Sequence, residues 1–79
     1  MSVVLLKENN KDNYVKSVNW VDGKVEFTSS PLSAKRYKSD WFAIAERQQL
    51  EHYSQLPYEE GGLEGDLAET VAALSVYFY

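Results

Sequence analysis

The chain has 79 residues, a mass of 9.1 kDa and a formal net charge of −4, which leaves room for a single domain spanning residues 1–79 and none for a second catalytic one. Apolar residues at 44 % and charged residues at 25 % separate it from disordered chains, and the lack of Cys excludes a disulfide framework, a thiolate zinc site and a cysteine nucleophile. No apolar run approaches the ~18–20 residues of a membrane helix, and the N-terminus lacks the basic start and cleavage site of a signal peptide, so a soluble cytoplasmic protein with no membrane partner is expected.

Val3-Val4-Leu5-Leu6 is a short β-rich run that predicts a buried strand. The polar, Asn-rich stretch Lys7–Asn13 predicts a turn. Tyr14–Val21 and Lys24–Thr28 then flank Asp22-Gly23, a dipeptide suited to a two-residue type I′ hairpin because both central residues need positive φ. That turn would pair Val21 with Lys24, Trp20 with Val25 and Val18 with Phe27. Side chains alternate across a sheet, so Tyr14, Lys16, Val18, Trp20, Val25 and Phe27 are expected on the core face. Trp20 and Phe27 become the anchors, and Trp20→Ala would cost ~3–5 kcal/mol.

Ser30-Pro31 reads as a helix start, with the helix ending near Tyr37. Ser39-Asp40 offers a second cap, and Trp41–Ser54 favours a longer helix that Leu56-Pro57 ends. Ala43, Leu50 and Tyr53 form one apolar stripe and Phe42, Ala45 and Tyr53 an overlapping one, together broad enough to cover a sheet. Tyr58–Glu69, with three Gly and five acids, predicts a loop. Leu67 and Val71-Ala72-Ala73-Leu74 fit a helix capped by Asp66, but the alternation of Leu74, Val76 and Phe78 against Ser75, Tyr77 and Tyr79 fits a closing strand. The strand is preferred because it gives the sheet a paired edge. The expected architecture is a small α+β domain, β-β-β-α-α-β, whose antiparallel sheet carries its helices on one face.

The run Trp20-Val21-Asp22-Gly23-Lys24, then Val25-Glu26-Phe27-Thr28, then Ala34-Lys35-Arg36-Tyr37-Lys38-Ser39 and an Ala-containing helix resembles small phage- and prophage-encoded proteins of Gram-positive bacteria. Their pattern is strand, turn, V-x-F-T, A-K-x-[FY], helix. The resemblance covers about residues 14–50 and excludes the acidic segment after Pro57. It implies a fold and a phage or prophage origin, hence a bacterial host cytoplasm, and transfers no catalytic residue.

Chemistry-bearing residues are few. His52 is the one histidine, and its helical neighbours four residues away are Gln48 and Leu56, which makes a poor metal site. Glu59, Glu60, Glu64 and Asp66 cluster oxygens without the spacing of a calcium loop. Gly61, Gly62 and Gly65 lack the Lys-Ser/Thr of a phosphate loop, and no Gly-x-Ser-x-Gly elbow occurs. No catalytic, metal or cofactor-binding residue is therefore assigned, and an activity other than catalysis is expected.

Charge is segregated. Residues 1–40 carry seven Lys/Arg against five Asp/Glu, a balance of +2, whereas residues 41–79 carry Arg47 against seven acids, a balance of −6. An acidic face repels phosphate and attracts basic protein surfaces. The expected function is a protein-interaction module presenting Tyr58, Glu59, Glu60, Glu64 and Asp66 to a protein partner. The alternative is a nucleic-acid accessory protein that uses Lys35, Arg36, Lys38 and Trp41, since basic groups with stacking rings hold single strands. Burial of Tyr37, Trp41 and Phe42 is preferred to that alternative, because a pI near 4.8 opposes nucleic-acid binding. A third expectation is a homodimer through the C-terminal edge, Val76-Tyr77-Phe78-Tyr79.

Overall fold

Four strands, β1 (Val4–Glu8), β2 (Tyr14–Asn19), β3 (Lys24–Thr28) and β4 (Leu74–Phe78), form one antiparallel sheet in the order β3-β2-β1-β4. The computed structural model describes residues 3–21, 23–63 and 65–79. Helices α1 (Asp40–Ser54) and α2 (Gly65–Ala72) cover one face. The α+β class and the one-sided sheet are as the sequence predicts. Among the described residues no helix is long and apolar enough to cross a membrane.

β1 is central and buried on both faces, which is why its apolar residues run consecutively. Leu6 joins Val15, Ala43, Leu50, Val71 and Leu74 in the main core beneath the helices. Leu5 points the other way, to Tyr14 and Ala34. The turn after β1 is tied by Glu8, a buried carboxylate that accepts from Asn13 Nδ2 at 2.9 Å and faces Lys11 at 3.4 Å.

The hairpin is real, but its register differs from the expected one. Asn19 pairs with Lys24, Val18 with Val25 and Val15 with Phe27. Two causes are visible. The Asn19 side chain accepts from the Val21 N–H at 3.0 Å, a local bond that starts the turn early. The connection therefore spans residues 20–23, with Gly23 at φ 65°; Asp22 lies outside the described residues. A bulge between Val15 and Ser17 then reverses the alternation. Val15, not Tyr14, faces the main core, and Tyr14 turns to the opposite face. Trp20 falls in the turn, 41 % exposed, with its ring 5.4 Å from that of Tyr53. It is not the core anchor that the two-residue turn would have made it, whereas Phe27 does pack on the core.

The predicted helix over 31–37 is a single 3-10 turn, Pro31–Ser33, followed by extended chain. The reason is long-range. β1 and β2 are in register only at Lys7 and Tyr14, and beyond that point their backbones need other partners. Residues 35–37 supply them: Lys35 N–H donates to the Val15 carbonyl and Tyr37 N–H to the Val4 carbonyl, each at 2.9 Å. This strap takes the chain from Ala34 in the small cluster to Tyr37 beside the main core.

α1 begins after Ser39, whose backbone carbonyl accepts the Ala43 N–H at 3.3 Å while its side chain makes no cap bond. Arg47 fastens α1 to β4: its Nε donates to the Leu74 carbonyl at 2.6 Å and its Nη1 to Glu51 at 3.1 Å. α2 occupies part of the segment predicted as a loop. Leu67, Ala68 and Val71 recur at helical spacing and bury one side. The preferred closing strand follows at once, taking Leu74 that the helix alternative would have used, while that alternative survives only as far as Ala72, with Asp66 inside the first turn rather than at the cap.

Candidate functional site

An open groove of about 750 Å³ lies between the strap and the outer side of α1. The strap's alternation builds one wall. Lys35 and Tyr37 turn inward and Arg36 and Lys38 stay exposed. Lys35 is spent inside the fold: its Nζ donates to both oxygens of Glu46 at 2.8 Å and lies 5.2 Å from the Tyr37 ring centre. Arg36 and Lys38 are left as the cationic rim. α1 contributes Phe42, Ala45, Gln49, His52 and Tyr53 as the other wall.

α1 can present these residues because small Ala43, with Leu50 seven positions on, makes its buried stripe. The bulkier neighbours are displaced to the outside. Trp41 is 68 % exposed and Phe42 49 % exposed, packed edge to face with ring centres 5.3 Å apart. The expectation that Tyr37, Trp41 and Phe42 all enter the core thus holds for Tyr37 alone. His52 is exposed and stands edge-on to Tyr53 at 5.8 Å.

Tyr37 carries the site's most perturbed group. Its hydroxyl is buried beside Glu46 and, among the described residues, meets no acceptor at full hydrogen-bonding geometry. Burial first, and the Glu46 carboxylate second, hold the phenol well above its ordinary range. An unfolded tyrosine ionises near pH ~10. Stability from this group is therefore complete below that pH and lost as the pH rises through it, since only the unfolded chain ionises there. Tyr37→Phe should raise stability by ~1 kcal/mol at neutral pH by removing an unpaired buried hydroxyl. It should also flatten the loss of melting temperature on the alkaline side, which thermal melts at increasing pH will read.

Tyr58, 65 % exposed, and Glu59 line a second cleft with Lys24 and Glu26, between the 3-10 turn Tyr58–Glu60 and β3. Glu60 and Asp66 are exposed and do not line it. Asp66 occupies the first turn of α2, where a carboxylate meets the positive end of the helix dipole. Glu64 lies outside the described residues. Among the described residues no group of three or more His, Asp or Glu is placed to hold a metal ion. The basic and aromatic residues of the groove are named in the sequence, but Tyr53 is expected with Phe42 and Ala45 on a core-facing stripe and Gln49 is not singled out. Their signal is spacing along α1: Gln49 lies four residues after Ala45 and seven after Phe42, and Tyr53 four after Gln49. Comparison with protein-family models, curated proteins and solved structures gives no match to this chain.

Proposed function

We propose that this chain is a non-enzymatic protein-interaction module, of the phage or prophage type that its central motif resembles, which holds a partner segment in the groove between the strap and α1. The observation that supports this reading is the exposed ring area there. Single exposed apolar side chains are ordinary, but Trp41 and Phe42 are mutually packed, and Phe42 shares the groove with Tyr53 and the exposed cations Arg36 and Lys38. Aromatic and Arg side chains dominate binding energy at protein interfaces, and a contiguous apolar patch with a polar rim marks such a surface.

The rim chooses the partner's chemistry. A short protein segment with an apolar side chain for the groove and a carboxylate for Arg36 and Lys38 feels mainly the local +2, because charges beyond ~8–10 Å are screened. A nucleic acid is longer and meets the −6 of residues 41–79 as well. The acidic residues Tyr58–Asp66 then serve as a second, discriminating surface rather than the main one.

Affinity capture from bacterial lysate, with mass spectrometry, tests this reading. The Trp41→Ala/Phe42→Ala variant should keep its melting temperature, because both rings are solvent-exposed, and should lose the captured protein by about 30-fold or more in affinity. Loss of capture on Glu59→Gln/Glu60→Gln instead would move the function to the acidic surface. A low-salt gel shift with single-stranded DNA that depends on Arg36 and Trp41 would replace the protein partner with nucleic acid.

A further inference from the structure

We infer that the free edge of β4 pairs with the same edge of a second copy, across a two-fold axis at Tyr77 perpendicular to the sheet. The backbone pattern fixes which groups are open. Val3 and Tyr79 exchange both backbone hydrogen bonds, at 2.9 and 2.8 Å, and Asn9 N–H donates to the Ala73 carbonyl at 2.8 Å. Bonded pairs alternate along an antiparallel ladder, so residues 73, 75, 77 and 79 face β1 while Leu74, Val76 and Phe78 turn their N–H and C=O outward. The Leu74 carbonyl is taken by Arg47. The outward groups of Val76 and Phe78 have no partner among the described residues.

The two edges of the sheet are unlike. β3, at one side, carries exposed Lys24 and Glu26, charges of the kind that guard an edge against pairing. β4, at the other side, has no charged side chain from Leu74 to Tyr79, and Phe78 and Tyr79 are 59 % and 50 % exposed. A strand that pairs here must be extended, uncharged and open on its own outer side. β4 of a second copy meets each condition, and two-fold symmetry closes the pair while leaving both guarded β3 edges outermost.

One register satisfies all the outward groups of Val76 and Phe78. Val76 opposite Phe78 of the second copy, and the reverse, form four backbone hydrogen bonds. Tyr77 then faces its own symmetry mate as a non-bonded pair, the closer kind, with Cα atoms ~4.5 Å apart. Ser75 faces Tyr79 of the second copy, not itself.

The chain is free of cysteine, so single-cysteine variants read this register directly. Tyr77→Cys should form a disulfide-linked dimer under mild oxidation, and Ser75→Cys should not. Light scattering should give the unaltered chain twice its 9.1 kDa mass. Phe78→Pro should return it to the monomer mass with an unchanged circular-dichroism spectrum, because that N–H serves no bond within the chain and proline is tolerated on an open edge. A monomer at millimolar concentration, a dimer that survives Phe78→Pro, or equal cross-linking at positions 75 and 77 would each overturn the pairing.

Discussion

Leu50→Ala is expected to cost about 2–5 kcal/mol, while Trp20→Ala costs less, about 1–2 kcal/mol. Leu50 is 1 % exposed and lies where α1 meets the sheet, in the cluster that holds Leu6, Val15, Leu63 and Leu74. Truncation removes its transfer energy and leaves a cavity that the two layers cannot close without moving α1. A domain of 79 residues carries roughly 4–12 kcal/mol in all, so this one change takes a large share. Trp20 is the larger side chain, but it is 41 % exposed in the turn and its main ring partner is Tyr53. Such a pair adds only about 0.5–1.5 kcal/mol to its partial burial. Urea titrations of the two variants decide the matter. A Trp20→Ala midpoint below that of Leu50→Ala would mean that the indole roofs the core after all, as the two-residue turn would have required.

That contrast marks where the fold is legible in sequence and where it stops being so. The central strand is readable because burial on both faces leaves an unbroken apolar run at Val4–Leu6. α1 is readable from helix formers ended by Leu56-Pro57, and β4 from its alternation. The hairpin's existence is readable too, but its register is decided by two small local events: the Asn19 side-chain bond to Val21 and the bulge at Lys16. Neither changes composition or period, yet each moves side chains between faces. The strap at 35–37 is invisible for a different reason. Its extended form is dictated by carbonyls of Val15 and Val4, far away in the chain, which outweigh the local helix signal of Ser30-Pro31. α2 is hidden by its acids, which make a surface helix look like a loop when Leu67, Ala68 and Val71 are few.

The candidate groove is half legible. Its residue types are plain in Lys35-Arg36-Tyr37-Lys38 and Trp41-Phe42. The rotational phase of α1 is not, because residues 41–45 are all apolar and point to every side of the helix. Packing settles the phase: the side that brings the backbone closest to the sheet is the one with Ala43, so Trp41, Phe42 and Ile44 are turned out. Lys35 shows the same limit for charge. Sequence counts it with the free cations, whereas the fold commits it to Glu46.

Gly62→Ala should destabilise the domain by ~3 kcal/mol, far more than an alanine substitution three residues on. After α1 the chain folds back on itself: Glu60 N–H and Gly62 N–H both donate to the Pro57 carbonyl, at 2.9 and 3.0 Å. This brings the Gly62 α-carbon directly against the Leu56 and Pro57 backbone, and a β-carbon there would overlap the Leu56 carbonyl. The obstacle is main chain, not the movable end of a side chain, so the turn itself must open. Opening it costs more than the turn. Leu63, the next residue, is 9 % exposed in the main core, and its N–H donates to the Tyr53 carbonyl at 3.3 Å. Displacing Gly62 therefore withdraws a core leucine and frees the end of α1 that carries Tyr53 into the groove. Gly65 is the internal comparison, since a β-carbon there meets nothing within 4 Å and alanine favours helix by about 0.8–1.0 kcal/mol over glycine. Gly65→Ala should melt at or above the parent temperature and Gly62→Ala well below it. Equal melting temperatures would mean that the Leu56–Gly62 turn does not close on its own backbone, and the groove's Tyr53 wall would lose its support.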